Sequence, residues 1–219
     1  MCEALCGLDR RLTLLLNGSD SLFWDGVAMT ATRTVTWIPF FAVLLFLVLR
    51  AGKNRMRDTL CVLAAVGLCV LLCDAFVSSV VKPFVARPRP THDAELAPLI
   101  DVVRGYRGGA YGFFSSHAAN TAALATLFSL LFRGKRFTAH LFFWVWVNCW
   151  TRVYLGVHYV GDLAVGFLWG GLTGWGAYRL VRRFSPRMPD ACRHVPTAAA
   201  GYVLLLTYAY VAVRAFFFG

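Results

Sequence analysis

Lys82, Arg89 and Arg152 are three cations with few acidic neighbours in the sequence. Such a set suits a tetrahedral dianion, because guanidinium forks can hold two of its oxygens at once. Ser115 and Ser116 stand where a helix is expected to begin, and hydroxyls and amides at a helix N-terminus are further donors to an anion. His158 and Asp162 are four residues apart, so on a helix they share a face. A carboxylate there fixes the imidazole tautomer and makes the free nitrogen a better nucleophile. His117, from another element, is available as a general acid for a departing oxygen. Taken singly, each residue has a plain structural reading, as a snorkelling anchor or a helix-end hydrogen bonder. What outweighs those readings is convergence: two His, an Asp, two Ser and three cations are expected on one face.

The elements that must position these residues are membrane helices. Hydrophobic residues make up 58% of the 219, against about 45–50% for soluble domains, which excludes disordered, collagen-like and disulfide-scaffold chains. A spanning helix needs about 20 mainly apolar residues. Six stretches qualify or nearly do: Val27 or Thr34 to Leu49, Thr59 to Val81, Phe113 to Phe132, Phe137 to Leu155, Tyr159 to Tyr178, and Val195 to Val213. The expected fold is therefore all-α, a polytopic bundle of about six transmembrane helices behind an N-terminal amphipathic helix. Its expected division is an interfacial segment, 1–33, and a transmembrane domain, 34–219. Leu5, Leu8, Leu12 and Leu15 recur at helical spacing, Asn17-Gly18-Ser19 stops them, and a second short helix is expected near Ser21.

Charge sets the orientation. Twelve of the 22 Lys and Arg lie in three stretches between apolar runs: Arg50, Lys53, Arg55 and Arg57; Arg133, Lys135 and Arg136; Arg179, Arg182, Arg183, Arg187 and Arg193. All three fall on one side, which the positive-inside rule makes cytoplasmic. Lys82 to Gly112, the Thr151 to Asp162 junction and both termini then face the other side. The same rule accounts for the net charge of +11 without a nucleic-acid partner. Of the seven cysteines, Cys61, Cys69, Cys73 and Cys149 sit in apolar runs and Cys2, Cys6 and Cys192 are terminal or in loops, so no disulfide framework or zinc ribbon is indicated. Gly166, Gly170 and Gly174 form a stripe that lets a neighbouring helix approach closely. Asp74, inside the second span, is a functional suspect.

In order along the chain, Lys82, six residues and Arg89-Pro90, then Phe114-Ser115-Ser116-His117, then Thr151-Arg152, five residues, His158, three residues and Asp162 resemble the three motifs of the type 2 phosphatidic acid phosphatase superfamily. Phe114 replaces the usual Pro, Ser116 the usual Gly and Thr151 the usual Ser. The resemblance implies that His158 attacks phosphorus to form a phosphohistidine while Asp162 orients it. It implies that His117 protonates the leaving oxygen and later activates water, and that Lys82, Arg89, Ser115, Ser116 and Arg152 hold the phosphoryl oxygens. No cofactor or metal is implied, since the cations would repel a divalent ion and no H-E-x-x-H or Cys/His cluster is present.

Arg87, Arg104 and Arg107 are expected either to contact a second phosphate or to anchor anionic headgroups, and the Pro90 to Ala110 loop to select the substrate. The expected partner is a membrane lipid phosphate, with undecaprenyl diphosphate leading and a lipid A 1- or 4′-phosphate or phosphatidylglycerol phosphate next. Localisation is expected in the cytoplasmic membrane, with the site on its outer, periplasmic side. A non-catalytic carrier with a polar central site and a vanadate-dependent haloperoxidase are the rival classes.

Overall fold

A computed structural model describes residues 2–52 and 56–218. Lys53 and Arg55 of the first basic stretch lie outside the described residues. The chain is all-α, and among those residues the only strand-like pairing is an isolated bridge between Pro88 and Tyr111. The helices are α1 (Cys2–Leu16), α2 (Leu22–Ala31), α3 (Ile38–Ala51), α4 (Met56–Val70), α5 (Lys82–Val85), α6 (Ser116–Phe132), α7 (Lys135–Tyr154), α8 (Val160–Phe184), α9 (Met188–Arg193) and α10 (Ala198–Phe218).

Each expected span has a helix at its place. Among the described residues three helical stretches are long and apolar enough to cross a membrane, namely Thr34–Ala51, Met56–Val85 and Ala198–Phe217. Of the others, α6 is the most buried, and α7 and α8 pack on it with their outer sides exposed. Helix α6 starts later than expected because Ser115 caps it, its hydroxyl accepting from the Ala118 amide. Between α4 and α5 the rod continues without a break through two π-helical segments, Leu71–Ala75 and Val77–Val81. Such wide turns recur at functional sites. Cys192, expected in a loop, is instead buried in α9, which packs under α6.

The glycine stripe sets the closest approach in the bundle. A Cβ added at Gly170 would sit 2.2 Å from the Ala119 carbonyl oxygen, and one at Gly174 would sit 2.3 Å from that of Ala123. Helix α8 therefore lies backbone-to-backbone on the alanine face of α6, where Ala118, Ala119, Ala122 and Ala123 are fully buried. That contact brings the start of α6 beside the start of α8, and the Ser115 amide donates to the Asp162 carbonyl at 3.1 Å.

The two ends of the bundle differ. At one end lie α1, α2, the 86–112 loop and the 155–159 turn, tied by Gly18 N–H to the Tyr154 carbonyl at 2.8 Å and by Asn17 to Asp101. At the other lie the end of α3, the turns after α6 and α8, and α9, with Arg133 donating to the Tyr178 hydroxyl. The end of α10 packs towards α2, so both termini lie at the first end.

Helix α1 is amphipathic as its leucine spacing predicts, yet Leu5, Leu8, Leu12 and Leu15 face outward and are exposed. Its polar side, with Asp9 and Thr13, faces the protein. That inversion suits a helix whose outer surroundings are lipid.

Candidate active site

His158 sits in the turn between α7 and α8 and is 1% exposed. The turn is made at Gly156, whose φ of +66° favours glycine and whose Cα lies against Ile100. The Val157 amide closes it on the Arg152 carbonyl at 3.1 Å. Both imidazole nitrogens have partners. An Arg89 amino group lies 3.1 Å from Nε2 and donates to the Val157 carbonyl at 2.9 Å. Because a guanidinium can only donate, Nε2 must present its lone pair, and Nδ1 must carry the proton. That proton points at Asp162 Oδ2, 3.4 Å away. The ring is thus held in the tautomer whose unprotonated nitrogen faces the cations.

Burial and the charges of Arg89, Arg152, Lys82 and His117 hold His158 well below the ordinary imidazole range, so it is neutral at physiological pH. Burial and the nearby Arg152 pull the Arg89 guanidinium down to about 10, which leaves it charged.

Helix caps and loops bring the remaining cations to the same place. Lys82, at the end of the rod, donates to Ser116 Oγ at 3.1 Å, and Ser78, one turn earlier, lies 3.4 Å from the same oxygen. Arg152, 3% exposed, donates to Thr32 Oγ1 at the end of α2 and approaches the Tyr106 hydroxyl at 3.4 Å. The Nε atoms of Arg89 and Arg152 are buried without a hydrogen-bond partner among the described residues. Two buried guanidiniums with unused donors fit a bound anion. The 106–112 loop closes over Arg89. Its Gly108, at φ +68°, lets the backbone pass the guanidinium, and the Arg89 amide pairs with the Ala110 carbonyl at 3.1 Å.

His117 stands one residue inside α6, partly exposed, within hydrogen-bonding reach of the Thr32 backbone. It lines a cleft of about 450 Å³ between α3, α4, α6 and α7 whose walls are mostly apolar, among them Trp37, Leu44 and Leu124. Leu45, Leu63 and Val70 carry the cleft to the exposed flank of the bundle. Asp74 lines this cleft while its charge still acts on Lys82, and Asn120 lines it too, with an Oδ1 that is buried and unpartnered among the described residues.

The structure therefore brings His158, Asp162, Lys82, Arg89, Arg152, Ser115, Ser116 and His117 to one end of the bundle. It does not bring the three further arginines into the cradle as a set. Arg87 divides its amino groups between Asp162 Oδ1 at 2.7 Å and Asp9 Oδ2 at 2.8 Å. Arg107, exposed, bonds the Thr91 carbonyl at 3.1 Å, and Arg104 is exposed on the same loop. Thr32 and Asp9 are site neighbours that spacing did not show. The one sequence signal for Asp9 was an acid on a helix expected at the catalytic end. Among the described residues no group of three His, Cys, Asp or Glu could hold a metal ion.

The profile of the PAP2 superfamily matches residues 58–186, which hold all but the first two residues of α4 and all of α5, α6, α7 and α8. The chain belongs to the PAP2 superfamily. Across the family-matched region the cradle is continuous, from Lys82 at the end of the rod to Asp162 in α8. Two relatives extend the likeness to most of the chain. A lipid A 4′-phosphatase of Bacteroides thetaiotaomicron is 36% identical over 92% of this chain and 88% of its own length. A lipid A 4′-phosphatase of Porphyromonas gingivalis is 35% identical over 81% of this chain and 75% of its own. No solved structure matches the chain significantly.

Proposed function

We propose that this PAP2 enzyme is a lipid phosphatase whose substrate is the phosphate monoester of a lipid A-type glycolipid, the 4′-phosphate first. The observation that carries the chemistry is the fixed His158 ring, with Nε2 turned to the cations and Nδ1–H turned to Asp162. Nε2 attacks phosphorus, the bond from phosphorus to the lipid oxygen breaks, and His117 gives that oxygen its proton. The positive charge that develops on His158 is stabilised by Asp162. In the second half His117 takes a proton from water, the hydroxide attacks the phosphohistidine, and phosphate leaves with His158 restored. Lys82, Arg89, Arg152 and the hydroxyls and amides of Ser115 and Ser116 hold the equatorial oxygens through both steps.

A monoester fits better than the diphosphate expected first. The diphosphate expectation rested on spare arginines, and Arg87 is neutralised by two carboxylates. The names of the two relatives favour lipid A in the same direction. The apolar cleft beside His117 suits an acyl chain lying below the phosphate.

The test is phosphate release by the purified full chain in EDTA, on lipid A, undecaprenyl diphosphate and phosphatidylglycerol phosphate. Release from lipid A that persists in EDTA and falls by at least ~10⁴-fold in His158→Ala is expected. Release unaffected by that substitution sinks the mechanism, and preference for another lipid sinks the substrate. On this reading the site faces the periplasm, which the positive-inside rule supports, since the described residues of the basic stretches lie at the opposite end. A reporter fused after Gly219 should therefore read periplasmic, and a cytoplasmic reading overturns this placement.

A further inference from the structure

The amides of Val160 and Gly161 open α8, where no residue of the same helix can accept from them. Their acceptors come from α1, about 150 residues earlier in the chain. Thr13 Oγ1 takes the Val160 amide at 3.3 Å, and Asp9 Oδ1 takes that of Gly161 at 2.7 Å. Asp9 Oδ2 is left for Arg87, whose other amino group grips Asp162 Oδ1. The Arg87 guanidinium also lies flat on the Tyr159 ring, 3.9 Å from its centre. Asp162 Oδ2 then faces His158 Nδ1 and accepts the Tyr159 amide at 3.2 Å. The result is an unbroken line of charge from Asp9 through Arg87 and Asp162 to His158.

Helix α1 is fastened at several points as it delivers Asp9. Arg10 pairs with Asp93 and Glu95. Asn17 Nδ2 donates to the Tyr154 and Asp101 carbonyls, and Asn17 Oδ1 accepts the Asp101 amide. Asp93 also accepts from the Tyr159 hydroxyl at 2.8 Å, so the loop after Arg89 braces the same turn.

We infer that Asp9 is a positioning residue of the nucleophile, and that α1 belongs to the active site as its outer wall. Removing the Asp9 charge frees Arg87 to leave Asp162, and the carboxylate loses the contact that keeps Oδ2 on the imidazole. This extends the proposed phosphatase reading and rests on it for its kinetic consequence, not for its structural one.

Asp9→Asn separates the two roles of the side chain, since its amide oxygen still accepts from Gly161 while its charge is gone. With lipid A as substrate, kcat should fall roughly tenfold with KM little changed, as for other partners that orient a reacting group. Asp9→Glu should recover part of the loss, and Asp9→Asn should cost little more once Arg87→Met is present. The independent readout is the ¹⁵N-histidine spectrum of the free full chain in detergent, with His158 assigned by its loss in His158→Ala. Wild type should show a protonated Nδ1 and a bare Nε2, and the variant should move both signals towards averaging. Unchanged His158 signals in folded Asp9→Asn and Asp9→Glu overturn the inference whatever phosphate release does. Additive losses with Arg87→Met overturn it too, because Asp9 would then act elsewhere. If wild type releases no phosphate, the phosphatase reading fails and the spectrum alone still decides the role of Asp9.

Discussion

The two sides of the active site are built differently. On the His158 side both ring nitrogens and both oxygens of Asp162 have partners: Arg89 on Nε2, Asp162 on Nδ1–H, Arg87 and Asp9 behind Asp162, with the Gly156 turn beneath. On the His117 side the imidazole is partly exposed on the wall of an apolar cleft that Asn120 also lines, its Oδ1 unpartnered among the described residues. Fully satisfied polar networks hold one geometry, whereas sparsely satisfied ones leave room to adapt. In the proposed mechanism the nucleophile presents the same nitrogen to the same phosphorus each time, whereas the acid meets the leaving oxygen of a bulky lipid whose chains would lie in the cleft.

The sharpest way to break this contrast is on the nucleophile side. Arg89→Met removes both an oxygen-binding fork and the donor on Nε2, so phosphate release should drop by about 10³-fold. The same substitution removes the largest charge acting on His158, so its proton affinity should rise towards the ordinary range near pH 6.5. In wild type, NMR titration should find His158 neutral at pH 6.5 and protonated only well below it. The sign follows for stability. A folded-state value below the unfolded one contributes stability that is present above the unfolded value and lost as pH falls below it. A wild-type His158 that titrates near 6.5 would contradict the buried, cation-ringed site.

The acid side should respond less and in a substrate-dependent way. His117→Asn should slow lipid A dephosphorylation by about 10²-fold, the usual range for a general acid. With p-nitrophenyl phosphate, whose leaving group needs no proton, the loss should be much smaller. Equal losses on both substrates would mean that His117 binds phosphate rather than protonating the alcohol.

Much of this arrangement was legible in the chain. The spacing from Lys82 to Arg89 and from His158 to Asp162, the leucine repeat of α1 and the glycine stripe of α8 are all local patterns. A helix of regular pitch turns the leucine and glycine repeats into shared faces, whereas Arg89 lies past the end of α5 and His158 in the turn before α8, so those two spacings act through the local turns. The convergence of three motifs on one end was readable too, because apolar lengths and basic stretches set the order in which spans cross. Sequence alone left Arg87 open to a second phosphate or to an anionic headgroup, and did not show its two carboxylate partners. Its charge is taken up by Asp9 and Asp162, one of them 78 positions away.

What residue type and spacing determined is the chemistry on offer: a tetrahedral anion cradle, a His–Asp pair, a second His and a membrane bundle to carry them. What only the tertiary structure decided is which partners complete it. The Asp9 link to Gly161, the Thr32 contact with Arg152 and the cleft beneath His117 join residues that have no periodic relation to one another. They depend on how closely α8 lies on α6 and on which side of α1 meets protein rather than lipid. Those are properties of packing between distant segments, where the energy belongs to the pair and neither sequence alone contains it.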